Sequence, residues 1–181
     1  MIKILLVTML VVFGYFAHNE GYLDGTIFAL HPSMELDLGS LSAKLDESEL
    51  LSKYPELDWD CYNEKTAMGD RVCTAPIRTW NQVLAKYTAF FFNKQGRLNL
   101  VKFAFREVEH TKVISALENK YGQSKTIPGK KDINGKPMVV WLSGNGITTA
   151  SENVEGDGEA TMTWMSGRAI LEKVLRRMMN G

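Results

Sequence analysis

Two apolar runs joined by a four-residue turn constrain this chain more than any other feature. Residues 88–92 and 98–105 read as strands, and between them lies Asn93-Lys94-Gln95-Gly96, a hairpin turn with glycine where positive φ is needed. In the second run Leu98, Leu100 and Lys102 alternate with Asn99, Val101 and Phe103, so both faces of that strand are partly apolar. Further strand-like runs fall at 71–77, at 138–142 and 146–150 across Ser143-Gly144-Asn145, and at 160–165. Three helices precede, separate and follow them. Asp46-Glu47-Ser48-Glu49 is a capping-box pattern and starts the first, which Pro55 ends. Residues 111–121 carry Val113, Ile114, Leu117 and Tyr121 on one stripe, with Gly122 placed to close the helix. Ser166 caps a last helix whose stripe is Ile170, Leu171, Val174, Leu175, Met178 and Met179. Residues 123–137 read as loop. The order helix, strands, helix, strands, helix predicts an α+β fold: an antiparallel sheet with helices on one face, preceded by an N-terminal hydrophobic helix.

That N-terminal segment follows Lys3 and is apolar or weakly polar from Ile4 to Ala17. Its 14 residues fall short of the roughly 20 that a spanning helix needs and inside the range of a signal-peptide apolar region. The cleavage rule of small residues at −1 and −3 is met marginally at Val12-Phe13-Gly14 and not at Tyr15-Phe16-Ala17, so a cleaved signal and a retained anchor both stay open. After Lys3 the next basic residue is Lys44, with Glu20, Asp24, Glu35 and Asp37 between, which predicts the amino terminus inside and the domain outside. The expected organisation is 1–17 signal peptide or membrane anchor, 18–44 tether and 45–181 a single α+β domain. Within the tether, Met34, Leu36 and Leu38 alternate with Glu35 and Asp37 and predict one extended piece.

The expected location is therefore the periplasm, either free or anchored in the inner membrane. Export sets the redox chemistry. Cys61 and Cys73 are the only cysteines, and the turn Met68-Gly69-Asp70 between them can return the chain. Outside the cytoplasm such a pair is expected to oxidise to a disulfide. A zinc site would lack ligands, and no cofactor motif is present. Lys plus Arg equals Asp plus Glu at 21 each, which lacks the basic excess of a nucleic-acid binder.

No catalytic residue is assigned. His110, beside Glu107 and Glu109, reads as an exposed residue near a helix start rather than a base with an oriented partner. Residues 153–159 place oxygen ligands at alternate positions but lack the closing glutamate of an EF-hand, and read as a solvated hairpin loop. Of the four tryptophans, Trp59, Trp80, Trp141 and Trp164, the general expectation is core. Trp80, flanked by Arg78 and Asn81 in a polar stretch, is the candidate interaction anchor, with Arg78 as its rim. The basic residues Arg168, Lys173, Arg176 and Arg177 lie opposite the last helix's apolar stripe, which suits packing on the domain or lying on a membrane.

From Asp46 to Met165 the layout resembles small exported α+β domains of the BamE or beta-lactamase-inhibitor-protein type. The carrying features are the early helix, the strand pair with Phe90-Phe91-Phe92 and Gly96-Arg97-Leu98, and the helix ending Lys120-Tyr121-Gly122. The resemblance implies a domain that binds other proteins through an exposed sheet face. The chain lacks the lipidated cysteine of BamE lipoproteins. The expected function is a non-enzymatic protein-binding or envelope-assembly module whose partner is another envelope protein. The alternatives are an exported hydrolase and a binder of small ligands or lipids.

Overall fold

The computed structural model describes residues 30–132, 135–156 and 158–167. The predicted N-terminal hydrophobic helix and the predicted last helix lie outside these residues. Among the described residues no helix is long and apolar enough to cross a membrane. The compact unit described below begins at Pro32.

Strand predominates. Among the described residues the elements are β1 (Ser33–Met34), a 3-10 turn at Leu38–Ser40, α1 (Glu47–Ser52), β2 (Asp60–Asn63), β3 (Arg71–Pro76), β4 (Thr79–Trp80), β5 (Val83–Phe92), β6 (Leu98–Arg106), a 3-10 turn at Glu107–Glu109, α2 (His110–Tyr121), β7 (Lys125–Lys131), β8 (Pro137–Ser143), β9 (Gly146–Ser151) and β10 (Glu159–Ser166). The sheet runs β2-β3-β5-β6-β10-β9-β8-β7 with every pair antiparallel. Strand β4 takes over from β3 beside the start of β5, and β1 adds to it in parallel. The predicted combination of sheet and helices holds in part: strand predominates, the sheet is mixed through the parallel β1–β4 pair rather than wholly antiparallel, and β1, β2, β4 and β7 add to the expected strands.

Local chemistry explains the junctions. At α1 the capping box forms in full: the Asp46 carboxylate accepts from the Glu49 amide at 2.9 Å, and Glu49 accepts from the Asp46 amide at 3.2 Å. The same corner docks on the β5–β6 turn, where the Leu98 amide donates to Leu45 O at 2.8 Å. Gly122 closes α2 at φ 83°. Gly146 is needed for another reason, since a Cβ there would lie 2.6 Å from the Trp164 indole.

One face of the sheet carries the main core. Cys73, Phe90, Val101, Trp164 and Trp141 pack there with Leu50 of α1 and with Val113 and Leu117 of α2. The stretch expected to be a tether joins them. Met34, Leu36, Leu38 and Leu41 are all buried, so the domain boundary moves from residue 45 back to residue 32. The predicted alternation does hold over 34–38, with Glu35 and Asp37 exposed between buried neighbours. An extended strip with one apolar side is a sheet-edge element rather than a linker, and here it covers the β4 end of the core.

The segment 123–137 is corrected as well. Its Pro128-Gly129 pair suggested loop, but residues 125–131 pair with β8, with a register irregularity between Thr126 and Lys131. An edge strand tolerates proline and a bulge because one of its sides needs no partner.

Candidate functional site

The predicted disulfide is present. Cys61 and Cys73 are directly opposed across β2 and β3 with Cα atoms 4.0 Å apart, and the bond joins them. Such close pairs are the kind whose side chains meet over the ladder. Glu47 brings a carboxylate to within 4.8 Å of both sulfurs. That group offers no metal site while the sulfurs are bonded to each other, and Glu47 instead accepts from Arg71 Nε at 2.7 Å.

Trp80 is not a surface anchor. It is 3% exposed, with its indole 5.5 Å from the Phe103 ring and 6.1 Å from Phe105. The polar neighbours that suggested exposure are turned to other tasks. Asn81 and Gln82 make the two-residue turn between β4 and β5 with φ of 45° and 70°. The Asn81 side chain holds both the amide and the carbonyl of Leu36, at 2.9 and 3.0 Å, as a strand neighbour would. Arg78 reaches Ser33 Oγ at 3.2 Å. Trp141 and Trp164 are buried too, and Trp59 packs on Phe90 at 5.0 Å.

Two further candidates resolve into structural roles. His110 is half-buried rather than exposed, and its Nε2 lies 2.9 Å from Ser151 O. The acidic glycine loop turns amides, not oxygens, toward its partner: Gly156 and Gly158 donate to the Glu107 carboxylate at 3.0 and 2.9 Å. That arrangement suits an anion and works against a calcium site.

What sequence reasoning did not find is the organisation of the second sheet face. The registers place Tyr62, Val72, Phe91, Leu100, Met165, Ile147 and Leu142 in one line, each opposite the next, across seven strands. All seven are apolar or aromatic. Val72, Phe91 and Leu100 are buried, whereas Tyr62 and Leu142 at the ends are 44% and 77% exposed. The partly apolar second face of residues 98–103 was the sequence signal for it. The neighbouring row on that face is mostly polar: Asp60, Thr74, Ala89, Lys102, Thr163, Thr149 and Val140.

Between these rows, at the β2–β3–β5 end, lies an open cleft of about 550 Å³. Its lining includes Tyr62, Met68, Val72, Tyr87 and Phe91, with Glu64 and Lys102 supplying charge. Lys102 donates to the Tyr87 hydroxyl at 3.1 Å and sits over its ring at 5.6 Å. Among the described residues, no histidine or cysteine lines it. The arrangement offers aromatic and thioether surface with one cation and one carboxylate, which is chemistry for holding a side chain.

Comparison of the chain with family models, curated proteins and solved structures found no match.

Proposed function

We propose that this protein is an exported, non-enzymatic binding module, and that it holds another envelope protein through the second face of its sheet. The observation that carries the reading is the cleft beside the apolar row, with Tyr62 and Met68 exposed at its mouth. An exposed aromatic and a flexible thioether over a rigid sheet are the groups that anchor protein interfaces. The Cys61–Cys73 bond supports the oxidising compartment, and the apolar segment at 4–17 supports delivery there, cleaved or as an anchor. The resemblance in layout to BamE-type domains points the same way, since such domains bind through a sheet face.

The test is partner capture from envelope fractions by the full chain, followed by quantitative binding. Tyr62→Ala with Met68→Ala is expected to weaken capture by about 2 kcal/mol or more. The melting temperature should barely move, because both side chains are exposed. Unchanged capture by the double variant would remove the cleft from the binding reading.

A further inference from the structure

We infer, resting on the binding reading above, that the partner adds an extended segment to the outer edge of β2 as an antiparallel strand. That segment carries a basic, an apolar and a basic residue at alternate positions. The two outer strands of the long sheet, β2 and β7, differ in how they meet such a segment. β7 contains Lys125, Pro128, Lys130 and Lys131, and its register with β8 breaks between Thr126 and Lys131, all of which discourage further pairing. β2 has neither lysine nor proline, and its register with β3 is unbroken. The Cys61–Cys73 bond holds it in place as a rigid edge.

The ladder shows which main-chain groups the edge offers. The Glu64 amide donates to Asp70 O at 3.1 Å, in step with the β2–β3 register. Hydrogen-bonded and non-hydrogen-bonded pairs alternate along an antiparallel ladder. Tyr62 and Asp60 therefore bond to β3, while Cys61 and Asn63 turn their N–H and C=O outward. Among the described residues no strand pairs with that side of β2. The side chains on the second face at this edge are Asp60, Tyr62 and Glu64, all exposed. Neither carboxylate has an ion pair among the described residues. On an added strand the residue facing Tyr62 falls in a non-hydrogen-bonded pair, where side chains approach most closely. An apolar residue there packs on the Tyr62 ring at the mouth of the cleft. The residues two positions to either side face Asp60 and Glu64, where cations complete cross-strand charge pairs.

A second copy of this chain is the weaker occupant. Two copies paired through Cys61 and Asn63 would set Tyr62 against Tyr62 and Asp60 against Glu64 twice. Like charges directly opposite each other destabilise a ladder. The same two carboxylates that repel a copy select a basic strand.

The experiment reads amide hydrogen exchange of the full chain, residue by residue, by NMR. The probe is the end-blocked peptide Thr-Lys-Thr-Phe-Thr-Arg-Thr at millimolar concentration. In the protein alone, the Cys61 and Asn63 amides should exchange faster than those of Tyr62 and Glu64. The peptide should slow Cys61 and Asn63 by about tenfold or more, because each gains a main-chain bond. The same peptide with glutamate in place of lysine and arginine should not slow them. Nor should the peptide N-methylated at the two threonines beside phenylalanine, which keeps the side chains but loses the donors. In the Asp60→Lys, Glu64→Lys variant the preference should pass to the glutamate peptide, and both substitutions lie at exposed positions that leave the fold intact. Slow exchange at Cys61 and Asn63 before peptide is added, no slowing with it, equal slowing by all three peptides, or an unchanged preference in the double variant would each overturn the inference. The readout is on main-chain amides with a synthetic probe, so it holds or fails independently of partner capture by the Tyr62 and Met68 variants.

Discussion

Trp80 shows how much a single side chain depends on what is brought over it. Its ring fills the space between Phe103, Phe105 and the strip at 34–38, and its indole N–H, unlike those of the other three tryptophans, has no hydrogen-bond partner among the described residues. Packing and polarity therefore pull in opposite directions at one residue. Trp80→Ala is expected to lower stability by about 3–5 kcal/mol, the usual result of emptying a large aromatic site. Trp80→Phe should cost far less than the lost ring area suggests, because it also removes a buried unpaired donor worth about 1–3 kcal/mol. Denaturant unfolding of the two variants beside the parent measures both. Equal losses in Phe and Ala would show that the N–H is satisfied in solution.

At the scale of one element, β2 depends on the disulfide. It is four residues long, its pairing partner is β3, and three of its side chains are exposed. A strand of that length at a sheet edge buries little to hold itself in place. The bond to Cys73, which is fully buried on β3, ties the strand to the core and links positions 12 apart in sequence. Replacing Cys61 and Cys73 by serine and alanine is predicted to lower unfolding free energy by about 3 kcal/mol. It should also open residues 62–70 to proteolysis well below the global transition. Reductant should reproduce both effects in the parent. An unchanged denaturation midpoint under full reduction would show that β2 contributes nothing to the cooperative unit.

For the whole molecule, the clasp at Asp37 joins the N-terminal strip to the end of α2, and its titration should be visible in global stability. Asp37 Oδ1 accepts from Gly39 N at 2.8 Å, Lys120 Nζ at 2.9 Å and the Tyr121 hydroxyl at 3.0 Å. The Lys120 contact is the largest influence on the Asp37 pKa and lowers it; burial, next in size, raises it, and the Gly39 and Tyr121 hydrogen bonds lower it further, so the net shift is downward. Its stabilising contribution is present above the unfolded value of 3.8 and is lost as pH falls through the lower folded value. The Asp46 cap, lowered chiefly by the Glu49 amide, acts in the same acid window. Tyr121 moves the other way: burial, and then its bond to Asp37, push the phenol up to about 12. Its contribution is complete below pH 10 and disappears between pH 10 and about 12, because the unfolded chain ionises first. Tyr121→Phe should flatten that alkaline loss and delete one late step from the ultraviolet tyrosine titration. Tyr54, also raised by burial, should keep a smaller alkaline slope in that variant. A titration in which every tyrosine ionises near 10 would contradict the clasp.

What the sequence determined by itself was local. The turn at 93–96, the alternation along 98–103, the capping box at Asp46, the glycine after Tyr121 and the two cysteines each specify a short piece of chain through dihedral limits, side-chain period or a covalent bond. Those pieces stand where their residues place them. Only the tertiary structure decided which apolar surfaces meet. Trp80 lies inside because a strip some 45 residues earlier folds over it and Asn81 holds that strip at Leu36. Residues 125–131 form a strand because β8 offers an unpaired edge, despite their proline and glycine. The second-face row exists because six registers align across seven strands. The irregularities on β5 between Ala85 and Tyr87 and between Phe91 and Phe92 are part of that alignment. A one-residue slip in any pair would send half the row to the opposite face. Nothing in the spacing of Tyr62, Phe91 and Met165 along the chain encodes that juxtaposition, since cross-strand neighbours are set by pairing geometry rather than by sequence separation.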